Sequence, residues 1–156
     1  MVARKDGCAI LSQAKGDKPM QPDKQFDFWL GEWDASWGED GKGTNRVEMA
    51  LDGKVVQENF TAPDLIGMSV SCYDAERGLW CQTWVDNSGS YLDFTGRFEE
   101  GKMILVRDAI VKGEKCKQRM VWYNIEPTQF DWNWERSDDG GKTWQVKWQI
   151  KYTRIK

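Results

Sequence analysis

Histidine, the side chain that most often moves protons near neutral pH, is missing: the chain of 156 residues has none. That excludes Ser-His-Asp and Cys-His nucleophile systems, a His metal ligand and a His-ligated haem. A general acid or base must then be a carboxylate, Tyr, Cys or Lys. Glu58 and Arg107 are the charged residues most suggestive of a site. If both point inward, each needs a partner. Arg107 then suits a ligand carboxylate, and Glu58 suits a carboxylate base whose pKa burial would raise. The plain alternative is a structural ion pair.

Ten tryptophans supply the other chemistry, which is flat stacking surface. Their spacing shows the kind of element that carries them. Trp132 and Trp134 share one side of a strand, which repeats every two residues, and do not suit a helix. From Phe26 onward, short runs rich in Trp, Val, Tyr, Phe and Thr alternate with turn signals such as Asp52-Gly53, Ala75–Gly78, Asn87–Gly89, Glu100-Gly101 and Lys112-Gly113. Turns spaced this way indicate an all-β antiparallel sandwich or barrel. About ten strands are expected, with a short N-terminal helical turn at Asp27–Leu30. Residues 1–25 read as a flexible N-terminal segment and residues 26–156 as one β-barrel domain.

The turns carry facing from one strand to the next. In the last strand Gln145, Lys147, Gln149 and Lys151 face water, so Val146, Trp148, Ile150 and Tyr152 face in. Phe130, Trp132 and Trp134 follow, then Cys116, Gln118, Met120 and Trp122, then Met103, Leu105 and Arg107. Leu92, Phe94 and Phe98, then Trp80, Gln82 and Trp84, then Ser69, Ser71 and Tyr73 continue the series. The Asp52-Gly53 hairpin sets Asn45, Val47 and Met49 against Val56, Glu58 and Phe60. One slip would invert a strand, yet the parity runs through without contradiction. The inner side is aromatic with a few polar groups, as in a small-molecule pocket, and ten closed strands are wide enough to leave a cavity.

Other motifs read as structural. Ser137-Asp138-Asp139-Gly140-Gly141-Lys142-Thr143-Trp144 fits the Asp-box pattern S-x-D-x-G-x-T-W, a tight hairpin with a Trp packed beneath it; in sialidases it lies away from the chemistry. Glu39-Asp40 and Asp138-Asp139 lie in turns without calcium-loop spacing. The Ala75–Gly78 turn makes Cys72 and Cys81 cross-strand neighbours, close enough for a disulfide, although free thiols suit a reducing compartment. Their face, with Met68, Val70, Thr83 and Val85, points outward and suggests a homodimer contact or a covering segment.

Composition sets the class. Hydrophobic residues are 40% and charged residues 30%, an ordinary globular balance. The net charge of -3 argues against nonspecific nucleic-acid binding. No stretch reaches the roughly 18 apolar residues of a membrane span. The N-terminus lacks an apolar signal region, so a cytoplasmic location is expected, with no membrane partner and no metal or other cofactor.

The run Phe26-Asp27-Phe28-Trp29-Leu30-Gly31-Glu32-Trp33-Asp34 resembles the opening signature of a widespread bacterial family of small lipocalin-like barrels classed as a domain of unknown function. Tyr73-Asp74, Trp80 to Asn87 with Gly89, and the Trp134-Glu135-Arg136-Ser137 run are similar to it too, so the likeness spans roughly Phe26 to Tyr152. It implies a lipocalin-like antiparallel barrel and supplies no activity. The related haem-binding nitrobindins use a proximal His, which this chain lacks.

Three readings follow. The first is a protein binding a small apolar or aromatic, even acidic, ligand, with Trp84, Trp122, Trp132 and Trp148 as stacking surface and Gln82, Arg107, Gln118, Tyr73 and Tyr152 as polar contacts. The second is a cofactor-free isomerase, cyclase or lyase with Glu58 as general base and Tyr73 or Arg107 stabilising developing charge. The third is a structural barrel filled by its own tryptophans.

Overall fold

The computed structural model describes residues 18–156; the greater part of the expected flexible segment, residues 1–17, lies outside them. Ten strands form one closed antiparallel barrel: β1 Gly31–Trp37, β2 Gly41–Ala50, β3 Val55–Ala62, β4 Leu65–Asp74, β5 Leu79–Asp86, β6 Tyr91–Glu99, β7 Lys102–Val111, β8 Glu114–Glu126, β9 Gln129–Ser137 and β10 Gln145–Arg154. Each strand pairs with the next, and β10 closes on β1, with Ala35 opposite Tyr152. Closure gives every strand a paired neighbour on both sides. Among the described residues no helix is long and apolar enough to cross a membrane.

The turn-derived registers are those of the structure. Val47 lies opposite Glu58, Ser71 opposite Gln82, Cys72 opposite Cys81, Trp84 opposite Leu92, and Arg107 opposite Gln118. One inward expectation fails. Val146 is 54% exposed, because the ladder between β9 and β10 shifts by one residue between Val146 and Trp148. A bulge of this kind turns the side chains before it to the other face. Another departure from regular pairing lies between β6 and β7. Their ladder runs only from Thr95 opposite Val106 to Glu99 opposite Lys102, so Tyr91–Phe94 and Arg107–Val111 separate.

Two short 3-10 turns, Pro22–Lys24 and Asp27–Trp29, precede β1. Pro22 opens the first, where its fixed φ suits a helical start. The second carries Phe26 and Trp29 into the barrel, where both are fully buried. Phe26 meets Trp80 and Trp122 edge to face at 4.9 and 5.2 Å, the arrangement that ring quadrupoles favour. The segment thus plugs one end of the barrel. Arg154 holds it there. Its guanidinium donates to the carbonyls of Phe28 (3.1 Å), Leu30 (2.6 Å) and Pro127 (2.7 Å) and lies 4.1 Å from the centre of the Trp33 ring.

The Asp-box hairpin is structural. Asp139 accepts hydrogen bonds from the Thr143 hydroxyl and amide, the Ser137 hydroxyl and the Lys142 amide, and these hold its carboxyl below the usual range. Trp144 then lies beneath the Arg119 guanidinium, 4.1 Å from ring centre to charge. On the outer faces of β4 and β5, Met68, Val70 and Val85 of the expected apolar patch are exposed, with Ile66 beside them, and Thr83 is half-buried.

Candidate functional site

The barrel is not filled. A cavity of about 220 Å³ remains inside it, lined by Trp29, Glu58, Phe60, Leu65, Trp84, Leu92, Met120, Trp122, Trp132, Trp134, Trp148, Ile150 and Tyr152. Trp29 of the plug forms its floor. Leu65 and Leu92 stand at the starts of β4 and β6, which marks the opposite end as the mouth. The alternation of β3 brings Val56, Glu58 and Phe60 inward together. The alternation of β8, β9 and β10 does the same for Trp122, Trp132, Trp134 and Trp148.

Glu58 is the one carboxyl lining this space among the described residues. It is held on both oxygens: Asn45 Nδ2 donates to Oε1 at 2.9 Å and Ser69 Oγ donates to Oε2 at 2.6 Å. All three side chains are buried. Burial among indoles pushes the Glu58 carboxyl up to about 7 against the two hydrogen bonds, which lower it. Tyr152 shares the cavity. Its phenol is raised well above its usual range, first by burial and then by the nearby Glu58 carboxyl. Its ring stacks on Phe130 at 4.6 Å, so it is fixed in orientation.

The indoles meet mostly at right angles. Trp132 and Trp148 lie 5.7 Å apart at 90°, and Phe60 and Trp148 lie 6.2 Å apart at 88°. Trp84 is positioned from two sides. Its Nε1 donates to Asp86 Oδ2 at 2.9 Å, and Gly67 on β4 leaves room for its ring, which a Cβ there would strike. The indole N–H groups of Trp29 and Trp122 are buried without a hydrogen-bond partner among the described residues.

Six residues expected at a site therefore come together here: Glu58, Trp84, Trp122, Trp132, Trp148 and Tyr152. Four do not. Tyr73 is half-buried beside the plug, its ring 5.7 Å from Trp80, and lines a separate surface hollow with Val55 and Cys72. Gln82 is buried and donates to Ser71 Oγ at 2.8 Å, away from the cavity. Arg107 and Gln118 face each other where β6 and β7 separate. Arg107 Nη1 donates to Gln118 Oε1 at 2.7 Å, and its Nη2 lies 3.8 Å from Asp93. Arg107 lines a polar cleft with Asp93, Asp108 and Lys117 and makes no ion pair with Glu58.

Asn45 and Ser69 are inward polar residues by strand parity, and parity alone does not join them to Glu58. Register supplied that link: Ser69 is directly opposite Glu58, and Asn45 is two residues from Val47, its partner on the other side. Gly67 was missed, since no local pattern separates a glycine that admits an indole from one that makes a turn. Among the described residues no group of His, Cys, Asp and Glu is arranged to hold a metal ion. No protein-family model matches the chain, and no curated protein matches its sequence.

Proposed function

We propose that this barrel binds a small, flat, mainly apolar molecule in its interior. The observation that carries this reading is the Trp-walled space with a single anchored carboxyl. Pockets for small molecules are mostly apolar with a few fixed polar groups. The space is about half as large again as the ~150 Å³ engineered cavity that takes up benzene, which suits a ring bearing a short chain. Native mass spectrometry of the protein from its own host, beside a denatured run, tests the reading. Extra mass lost on denaturation supports it. A bare chain, with no change in tryptophan fluorescence across a broad panel of aromatic compounds, removes it.

A second reading is a cofactor-free isomerase, cyclase or lyase in the same cavity. The Glu58 carboxyl near 7 favours it, because a general base works best when its pKa lies near the ambient pH. Tyr152, rather than Tyr73, is then the phenol available to developing charge. Loss of turnover with retained binding in Glu58→Gln supports this reading over simple carriage. We also propose that the chain belongs with the lipocalin-like bacterial family it resembles, that it is cytoplasmic, and that it forms a homodimer through the outer faces of β4 and β5 at Met68, Val70, Thr83 and Val85. Light scattering at high protein concentration tests the last of them, and a strict monomer rejects it.

A further inference from the structure

Among the described residues the cavity is lined by one carboxyl and by no cationic side chain, and this asymmetry selects a ligand charge. Neither lysine nor arginine among the described residues lines it, and Arg107 is engaged with Gln118 and Asp93 in the β6–β7 cleft. Resting on the ligand-binding reading above, we propose that the guest is a protonated amine carried on an aromatic or otherwise flat body, its ammonium set against Glu58 and its body held by Trp84, Trp132 and Trp148.

Two independent features support a cation. Indole faces carry negative charge density, and Trp is the strongest aromatic partner for a desolvated cation. Trp132 and Trp148 meet at 90°, so they form a corner that encloses a guest on two sides. The second feature is the carboxyl itself. Asn45 and Ser69 grip one lone pair on each oxygen. A second lone pair remains on each for a donor on the ligand.

The energetics rank ligands by sign. An anion adds repulsion to a carboxylate already lacking a counter-charge. A neutral guest leaves the cost of ionising Glu58 in place. An ammonium offsets that cost and gains a charge-assisted hydrogen bond. Asn45 on β2, Ser69 on β4 and Tyr152 on β10 face Glu58, and of these only Tyr152 titrates. Its phenol stays protonated near neutrality. Glu58 therefore gives up the proton when the amine binds.

Calorimetry on the full chain at neutral pH, in two buffers of different ionisation enthalpy, tests this with three probes of one shape: phenethylamine, phenethyl alcohol and hydrocinnamate. The amine should bind tighter than the alcohol by on the order of tenfold or more, the carboxylate should bind weakest, and amine binding should release protons. Glu58→Gln should bring the amine and the alcohol close together. Alcohol or carboxylate binding as tightly as the amine overturns the amine assignment and leaves the ligand-binding reading standing. An amine preference that survives in Glu58→Gln overturns the role given to Glu58. No binding by any probe, with unchanged tryptophan fluorescence, overturns both. The wild-type comparison stands alone should the variant fail to fold.

Discussion

Ser69 and Glu58 are directly opposed on neighbouring strands, with Ser69 Oγ 2.6 Å from Glu58 Oε2. A hydroxyl donates to a carboxylate and accepts from a carboxylic acid, so the pair satisfies Glu58 in either protonation state. Asn45 donates to the other oxygen in both. The site is thus built to hold a carboxyl whose charge changes near neutral pH.

That arrangement makes stability depend on pH in a stated direction. The Glu58 carboxyl titrates near 7 when folded and near 4.5 ordinarily. Between those values the folded chain keeps a proton that the unfolded chain has released. The contribution is complete below the lower value and is lost as pH rises through the upper one. Linkage sets the loss at ~3 kcal/mol. Glu58→Gln keeps a group that can accept from Asn45 and donate to Ser69, and it does not ionise. Urea denaturation at several pH values should show the variant gaining on the wild type across that window. Parallel pH profiles reject the assignment.

Gly67 and Trp84 give a second prediction. The indole occupies the space that a side chain at position 67 would take, while Asp86 fixes its N–H. Gly67→Ala should push the ring into the cavity or off Asp86. Overpacking of this kind costs about 1–3 kcal/mol. Uptake of a neutral probe such as indole should weaken more than stability alone accounts for. Unchanged uptake in a folded variant would show that Trp84 does not shape the cavity.

Much of this was legible in the sequence, because each turn fixes the sum of paired residue numbers. Asp52-Gly53 sets Val47 against Glu58, and Ala75–Gly78 sets Cys72 against Cys81. Facing followed from parity almost everywhere, and Val146 failed because a one-residue bulge left no mark that parity could read. Height along the barrel was not legible. Closing ten strands requires tilt and stagger, so a row of paired residues climbs as it passes around the wall. Tyr73 opens such a row beside the plug, at Trp80, and the same row reaches Trp148 in the cavity by way of Gly96, Leu105, Met120 and Trp134. Arg107 faces inward as expected but stands where β6 leaves β7. Two inward residues therefore need not meet, and Glu58 and Arg107 do not.

Arg154 ties the end of the chain to the plug, a role with no sequence signal. Three of its hydrogen bonds go to carbonyls on Phe28, Leu30 and Pro127. Arg154→Ala should cost about 2–3 kcal/mol, counting charge-assisted bonds and the contact with Trp33. Hydrogen exchange at the Trp29 and Leu30 amides should rise well beyond that of β7 and β8. Uniform loosening of the whole barrel would instead mean that Arg154 acts on the fold and not on the plug.

Cys72 and Cys81 face each other across β4 and β5, and both are free thiols. Arg77 Nη2 lies 3.0 Å from Cys81 Sγ. Burial nevertheless holds the Cys81 thiol above its ordinary range, so thiolate attack from this side is slow near neutral pH. Cys72 is exposed, so an oxidant reaches it first. Its opposed partner is the sulfur best placed to resolve the sulfenic acid into a disulfide. Mild peroxide treatment should protect both residues from alkylation together, while Cys116, buried on β8, stays a thiol. The bond closes only a short loop, so the gain in stability should be smaller than for a disulfide that closes a long one. Peptide mapping reads the outcome directly. Alkylation of both cysteines after oxidation would show that the strand geometry keeps the two sulfurs apart.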